Sequence, residues 1–216
     1  IAHDDARLYL CWNVRGVGPF TNSGGEYQRL FKTGAALDLL LGTDPKADMA
    51  RRTPGRGDLR LLIAWVDGKP QVVLYQPVAP GARPDEAWVA RTEAGGETRF
   101  DRVVLLNRAE VALKGESDFT VEAAIPLADL GLKIQPGLEL AMDWGVLTSA
   151  DGHQVKERLY WANTLATGTS DEAVEARLEP HLWGRLRFTG ETAVEDALVQ
   201  AAPSAIDEAL DLDEEP

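Results

Sequence analysis

From residue 6 to residue 189, apolar and polar positions alternate with a period of two, the rhythm that sends successive side chains to opposite faces of a sheet. In LYLCWNV, Leu8, Leu10, Trp12 and Val14 share one face, while Tyr9, Cys11 and Asn13 share the other. FTVEAAI repeats the pattern through Phe119, Val121, Ala123 and Ile125, and LELAMDWGV through Leu138, Leu140, Met142, Trp144 and Val146. Further strands are predicted over 36–42, 58–66, 70–77, 102–107, 157–163 and 184–188. Asp67-Gly68 marks a tight hairpin, because both positions tolerate positive φ, and Asp151-Gly152 reads the same way. Helix-forming composition is confined to 27–33 and 171–178, with one turn at 126–130 opened by Pro126. No long amphipathic helix alternates with the strands, which argues against a parallel sheet. The fold class is therefore all-β: an antiparallel β-sandwich, jelly-roll or immunoglobulin-like, with little helix and long polar end loops at 16–26, 43–57, 78–99 and 164–176.

Composition narrows the function classes. The 216 residues are 44% hydrophobic and 26% charged, as in a soluble globular protein. No apolar run nears the roughly 20 residues of a membrane helix. The chain starts at Ile1 and reads as a processed protein or a piece of a longer one. Cys11 is the single cysteine, which excludes an internal disulfide and any cysteine-clustered metal site. The net charge of −13 is concentrated: residues 190–216 hold nine acids and no base, leaving the body at −4. Residues 1–189 are accordingly read as one sandwich domain and 190–216 as an acidic tail or linker. No basic stripe with interleaved aromatics is present, which argues against a nucleic-acid partner.

Catalytic signatures are missing. His3, His153 and His181 stand in no metal-ligand spacing, and no GxSxG, GxGxxG or GxxxxGK[ST] motif occurs, so nothing marks an enzyme. Six tryptophans are the notable chemistry. Trp12, Trp65 and Trp144 fall on apolar strand faces and read as core. Trp88 in a polar loop, Trp161 beside Asn163, and Trp183 on one face with Arg185 and Arg187 are the candidates for exposure; the alternatives are a loop anchor for Trp88 and caps on the sandwich edge for Trp161 and Trp183. An exposed indole suits a pyranose, whose apolar C–H face lies on the ring while neighbouring Asn and Arg groups bond its hydroxyls.

The ordered succession LYLCWNV, GAALDLLLG, GDLRLLIA, VVLYQPVAPG, FTVEAAIPLADLGL, PGLELAMDWGVL, YWAN and PHLWGRLRF resembles the family 9 carbohydrate-binding modules, within the wider DOMON-like group of sandwiches. The most specific pieces are AIPLADLGL followed by PG, ending at Gly137, and the closing WGRLRF over 183–188. The resemblance implies a non-catalytic, carbohydrate-binding domain of a secreted, periplasmic or envelope multidomain protein. On that reading Trp161, Trp183, Asn163, Arg158, Arg185 and Trp88 contact the ligand. It also implies structural calcium, for which Asp38, Asp101, Asp143 and Asp151 are the candidate oxygen donors. Two other readings stand beside it. One is a haem-binding electron-transfer domain of the same group, with Met142 and His181 as axial candidates. The other is a ligand-free interaction domain in a larger envelope assembly.

Overall fold

The computed structural model describes residues 1–189; the acidic segment 190–216 lies outside the described residues. Among the described residues thirteen strands form: β1 (Ala2–His3), β2 (Arg7–Val14), β3 (Ala36–Gly42), β4 (Asp58–Val66), β5 (Lys69–Gln76), β6 (Trp88–Arg91), β7 (Glu97–Phe100), β8 (Arg102–Leu105), β9 (Glu110–Gly115), β10 (Phe119–Pro126), β11 (Glu139–Thr148), β12 (Glu157–Tyr160) and β13 (Gly184–Arg187), with one helical turn, α1 (Leu127–Leu130), after β10. All the pairings between them are antiparallel. A small sheet runs β1-β2-β10-β9 and a large one β12-β11-β3-β4-β5-β8. β13 joins the large sheet on the β12 edge, because the long β11 pairs β13 through its first half and β12 through its second. No helix among the described residues is long and apolar enough to cross a membrane.

The period-two faces assemble as the alternation requires. Leu8, Leu10 and Trp12 of β2, with Val121 of β10, pack onto Leu39, Leu61 and Met142 of the large sheet to form the core between the sheets. Trp12 and Trp144 meet there with ring centroids 5.8 Å apart. The large sheet is covered on its outer face as well. There the β6–β7 hairpin, the 3-10 turn Tyr27–Arg29 and the short helix α2 (Glu172–Ala176) bury a second cluster that includes Leu30, Phe31, Leu62, Val73 and Tyr75. Burial on both faces is why ALDLLLG and DLRLLIAWV are nearly continuous apolar runs rather than clean alternations.

Three local expectations change. Asp67 (φ 49°) and Gly68 (φ 75°) do make the tight β4–β5 turn. Asp151-Gly152 instead lies within the longer connection 149–156, where Asp151 Oδ1 accepts the His153 N–H at 2.8 Å. The stretch 78–99 is not all loop, since it folds into β6 and most of β7. Helix over 171–178 is shortened to α2, with Asp171 Oδ1 accepting the Val174 N–H at 3.0 Å.

Candidate functional site

Charged residues interrupt the apolar runs of β3 and β4 at Asp38 and Arg60, and alternation places both on the outer face of the large sheet. Asp38 is opposite Leu62, so Arg60 reaches it along the diagonal between neighbouring strands. The pair is bidentate: Arg60 Nε donates to Asp38 Oδ1 and a terminal guanidinium nitrogen to Oδ2, both at 2.8 Å. Tyr160 Oη donates to Asp38 Oδ2 at 2.6 Å. Burial opposes the charge on Arg60, but the attraction of Asp38 outweighs it and holds the guanidinium above its ordinary pKa. Burial, followed by the Asp38 charge, pushes the Tyr160 phenol up, so it stays a donor. Gly145 makes the approach possible: a Cβ there would come within 2.6 Å of the Tyr160 ring.

Arg158, two residues before Tyr160 on the same face of β12, extends this row. Its guanidinium donates to Tyr160 Oη at 3.1 Å, to the Glu175 carbonyl at 3.2 Å and to the Gly168 carbonyl at 3.3 Å. All three acceptors are neutral, and Nε is buried with no partner. Glu175 on α2 is 1% exposed. Its Oε1 accepts Lys32 Nζ at 2.5 Å, and its Oε2 is buried without a partner. Burial raises the Glu175 pKa, against the pull of Lys32. A buried polar atom left unpaired costs free energy, so both atoms call for a partner, an ordered water or a ligand group. Both residues line one cavity of about 140 Å³, together with Tyr160, Asn163, Leu165 and Trp183.

Three of the six residues expected to contact a ligand, Arg158, Asn163 and Trp183, meet at this cavity. Trp161 is 56% exposed, its ring lying against the Gly184 backbone where β12 and β13 meet along β11. Asp143 holds the adjoining turn in place, its carboxylate accepting the N–H groups of Ala162 at 2.8 Å and Asn163 at 2.9 Å.

Trp183 is not the open stacking face expected of it. It is 8% exposed, with the Arg51 guanidinium 5.9 Å from its ring, and presents only part of its surface to the cavity. Trp88 is also not exposed as expected. It packs with Phe31, Tyr75 and Phe100 in the outer cluster, centroids 6.0 to 6.4 Å apart, because β6 turns its face inward. Arg185 is exposed on β13, 4.0 Å from Glu139, and does not line the cavity. Glu175, absent from the expected set, completes the polar wall, and Lys32, which does not line the cavity, bonds its other oxygen.

The four aspartates considered for calcium do not converge. Asp38 is taken by Arg60 and Tyr160, Asp101 accepts the Ala79 N–H at 2.9 Å, Asp143 holds the 161–163 turn, and Asp151 caps its own loop. Among the described residues no three His, Cys, Asp or Glu side chains stand together to hold a metal ion. The donors at each carboxylate are N–H, O–H and guanidinium groups, so these residues do not fit a calcium cage in this arrangement. Met142 packs between the sheets, whereas His181 lies in the turn Pro180–Leu182 beside the outer cavity. The large sheet separates them, and they do not face one space as axial ligands must.

No family model matches the chain, and no curated protein matches it. Among solved structures it is similar to a family 9 carbohydrate-binding module from Caldicellulosiruptor kristjanssonii in complex with glucose, with 14% identity, 88% of this chain and 75% of that chain covered, and a TM-score of 0.47. It is likewise similar to that module in complex with cellotriose, at 14% identity, 88% and 73% coverage and a TM-score of 0.48. The chain thus bears a remote, low-identity structural resemblance to the carbohydrate-binding β-sandwiches of family 9.

Proposed function

We propose that this chain is a non-catalytic carbohydrate-binding module that takes a sugar ring in the cavity between Arg158 and Glu175, on the outer face of the large sheet. The observation that carries the reading is the pair of unpartnered buried atoms, Arg158 Nε as donor and Glu175 Oε2 as acceptor, on residues lining one cavity. A hydroxyl is both acceptor and donor, so adjacent ring hydroxyls satisfy the two together. An anionic ligand meets Glu175, and an apolar one leaves both atoms orphaned. Asn163 adds a side-chain amide, and the exposed Trp161, two residues before it in sequence and not itself a lining residue, offers an apolar plate to a ligand that extends beyond the cavity. In this reading the domain serves a longer secreted, periplasmic or envelope protein, and other domains of that protein are its partners.

Isothermal titration of monosaccharides and short oligosaccharides against the wild type and Trp161→Ala tests the proposal. The affinity expected of one polar pair and one aromatic contact lies between about 1 μM and 1 mM. Loss of the indole weakens it by about 2- to 12-fold, the equivalent of one aromatic contact. Equal heats from both proteins remove Trp161 from the site, and no heat with any sugar defeats the reading.

A further inference from the structure

A second cleft, of about 520 Å³, lies where the connection after β5 folds beside the end of the 43–57 loop. It shares no lining residue with the sugar cavity. Three guanidinium groups border it, Arg56, Arg83 and Arg102, and Glu86 is the one carboxylate in its lining. That carboxylate is divided: Arg102 Nε stands 3.3 Å from Oε2, and a terminal nitrogen of Arg83 stands 3.4 Å from Oε1. The Arg102 contact is not aligned as a hydrogen bond, and its Nε is buried without one. Arg56 has no carboxylate within ion-pair distance among the described residues. Two further acids stand nearby without lining the cleft: Asp85 Oδ1 is 3.4 Å from Arg83 Nε, with both side chains exposed, and Asp101 accepts the Ala79 N–H at 2.9 Å. Gln76 accepts from Arg102 through Oε1 at 3.4 Å, which leaves its NH₂ as a further donor.

We infer that this cleft binds a sulfate- or phosphate-type oxyanion, clamped by Arg56, Arg83 and Arg102. The lining carries three guanidinium groups against one carboxylate, on a body whose net charge is −4. Planar guanidinium forks match tetrahedral oxyanions bidentately, and either a singly charged sulfate ester or a more highly charged phosphate group or free sulfate offsets the positive charge that Glu86 leaves in the lining. The same chemistry arises from a free inorganic ion or from an ester on a larger molecule such as a sulfated polysaccharide.

The test uses the full chain labelled with ¹⁵N at constant ionic strength. Inorganic sulfate, inorganic phosphate and a sulfated oligosaccharide are titrated in turn, with the unsulfated oligosaccharide as control. Saturable amide shifts confined to Gly57, Gln76 and the 79–83 turn are expected, weakened about tenfold or more in Arg56→Gln/Arg83→Gln. Both substituted side chains are exposed, so the variant keeps its fold and its Arg102–Glu86–Gln76 contacts. Tighter binding of the sulfated oligosaccharide than of inorganic sulfate assigns the ester to a glycan, and equal affinity assigns it to the free ion. Shifts that do not saturate, or that persist unchanged in the double variant, overturn the inference. The sugar reading is untouched either way, because Trp161 and Glu175 take no part.

Discussion

Asp38→Ala lowers the stability of this domain by about 3–5 kcal/mol, the cost of leaving one member of a buried ion pair without its partner. Asp38 is fully buried, and both of its oxygens are used: two guanidinium nitrogens and the Tyr160 hydroxyl bond it within 2.8 Å. Its removal strands Arg60 in an apolar shell, with the guanidinium carbon 4.9 Å from the Phe31 centroid and 5.6 Å from that of Tyr75. The one remaining anchor is the Glu175 carbonyl at 3.1 Å, too little to replace a carboxylate. For a domain of this size the loss corresponds to a fall in Tm of about 6–20 °C. Urea denaturation measures it directly, and Asp38→Leu/Arg60→Met supplies the control. Replacing both charges by apolar groups of similar length recovers most of the stability, because the desolvation cost disappears with the attraction. A loss below about 1 kcal/mol in Asp38→Ala shows that water reaches Arg60 and that the outer face is not sealed.

That network explains which parts of the molecule can be read from sequence. The faces of β2, β10 and β11 are legible because each alternates cleanly, one side meeting the inter-sheet core. Asp38 and Arg60 are visible as charges inside apolar runs, but their pairing depends on the β3–β4 register, which no local pattern specifies. The same limit misplaces the tryptophans. Trp88 sits among charges in sequence, yet Phe31, Tyr75 and Phe100 come to it from three distant segments. Trp183 is covered on one side by Arg51, and that contact joins positions far apart in the chain. Arg158 and Tyr160 can be placed on one face by spacing alone, and the structure keeps them there. Glu175 escapes such reading because its neighbours Ala173 and Ala176 mark the buried side of a very short helix, while its counterion Lys32 arrives from before β3. β6 and β7 are masked by the Gly-rich turn and by charges that point outward from a two-stranded ribbon.

Glu175→Gln separates binding from folding, because the two respond to this carboxylate with opposite sign. The amide keeps the shape and an acceptor for Lys32 Nζ, which also donates to the Thr169 carbonyl at 2.8 Å, so the α2 contact survives. What disappears is the charged acceptor offered to a sugar hydroxyl, and a hydrogen bond of that kind contributes about 1.5–3 kcal/mol, or roughly 10- to 150-fold in affinity. Stability moves differently. Burial raises the folded-state pKa of Glu175 above its unfolded value, so between those two values the native state binds the extra proton. Stability contributed by this group is complete below the unfolded value and is lost as pH rises through the folded one. The difference in unfolding free energy between wild type and variant, measured across that window, therefore falls with rising pH, while subtraction cancels other titrating groups such as Asp143. Sugar affinity of the wild type runs the other way, rising over the same window as the carboxylate ionises. In Glu175→Gln both slopes attributable to this residue vanish. A variant that binds sugar as tightly as the wild type at neutral pH places the ligand elsewhere. Parallel slopes for affinity and stability show that the proton matters to the fold alone.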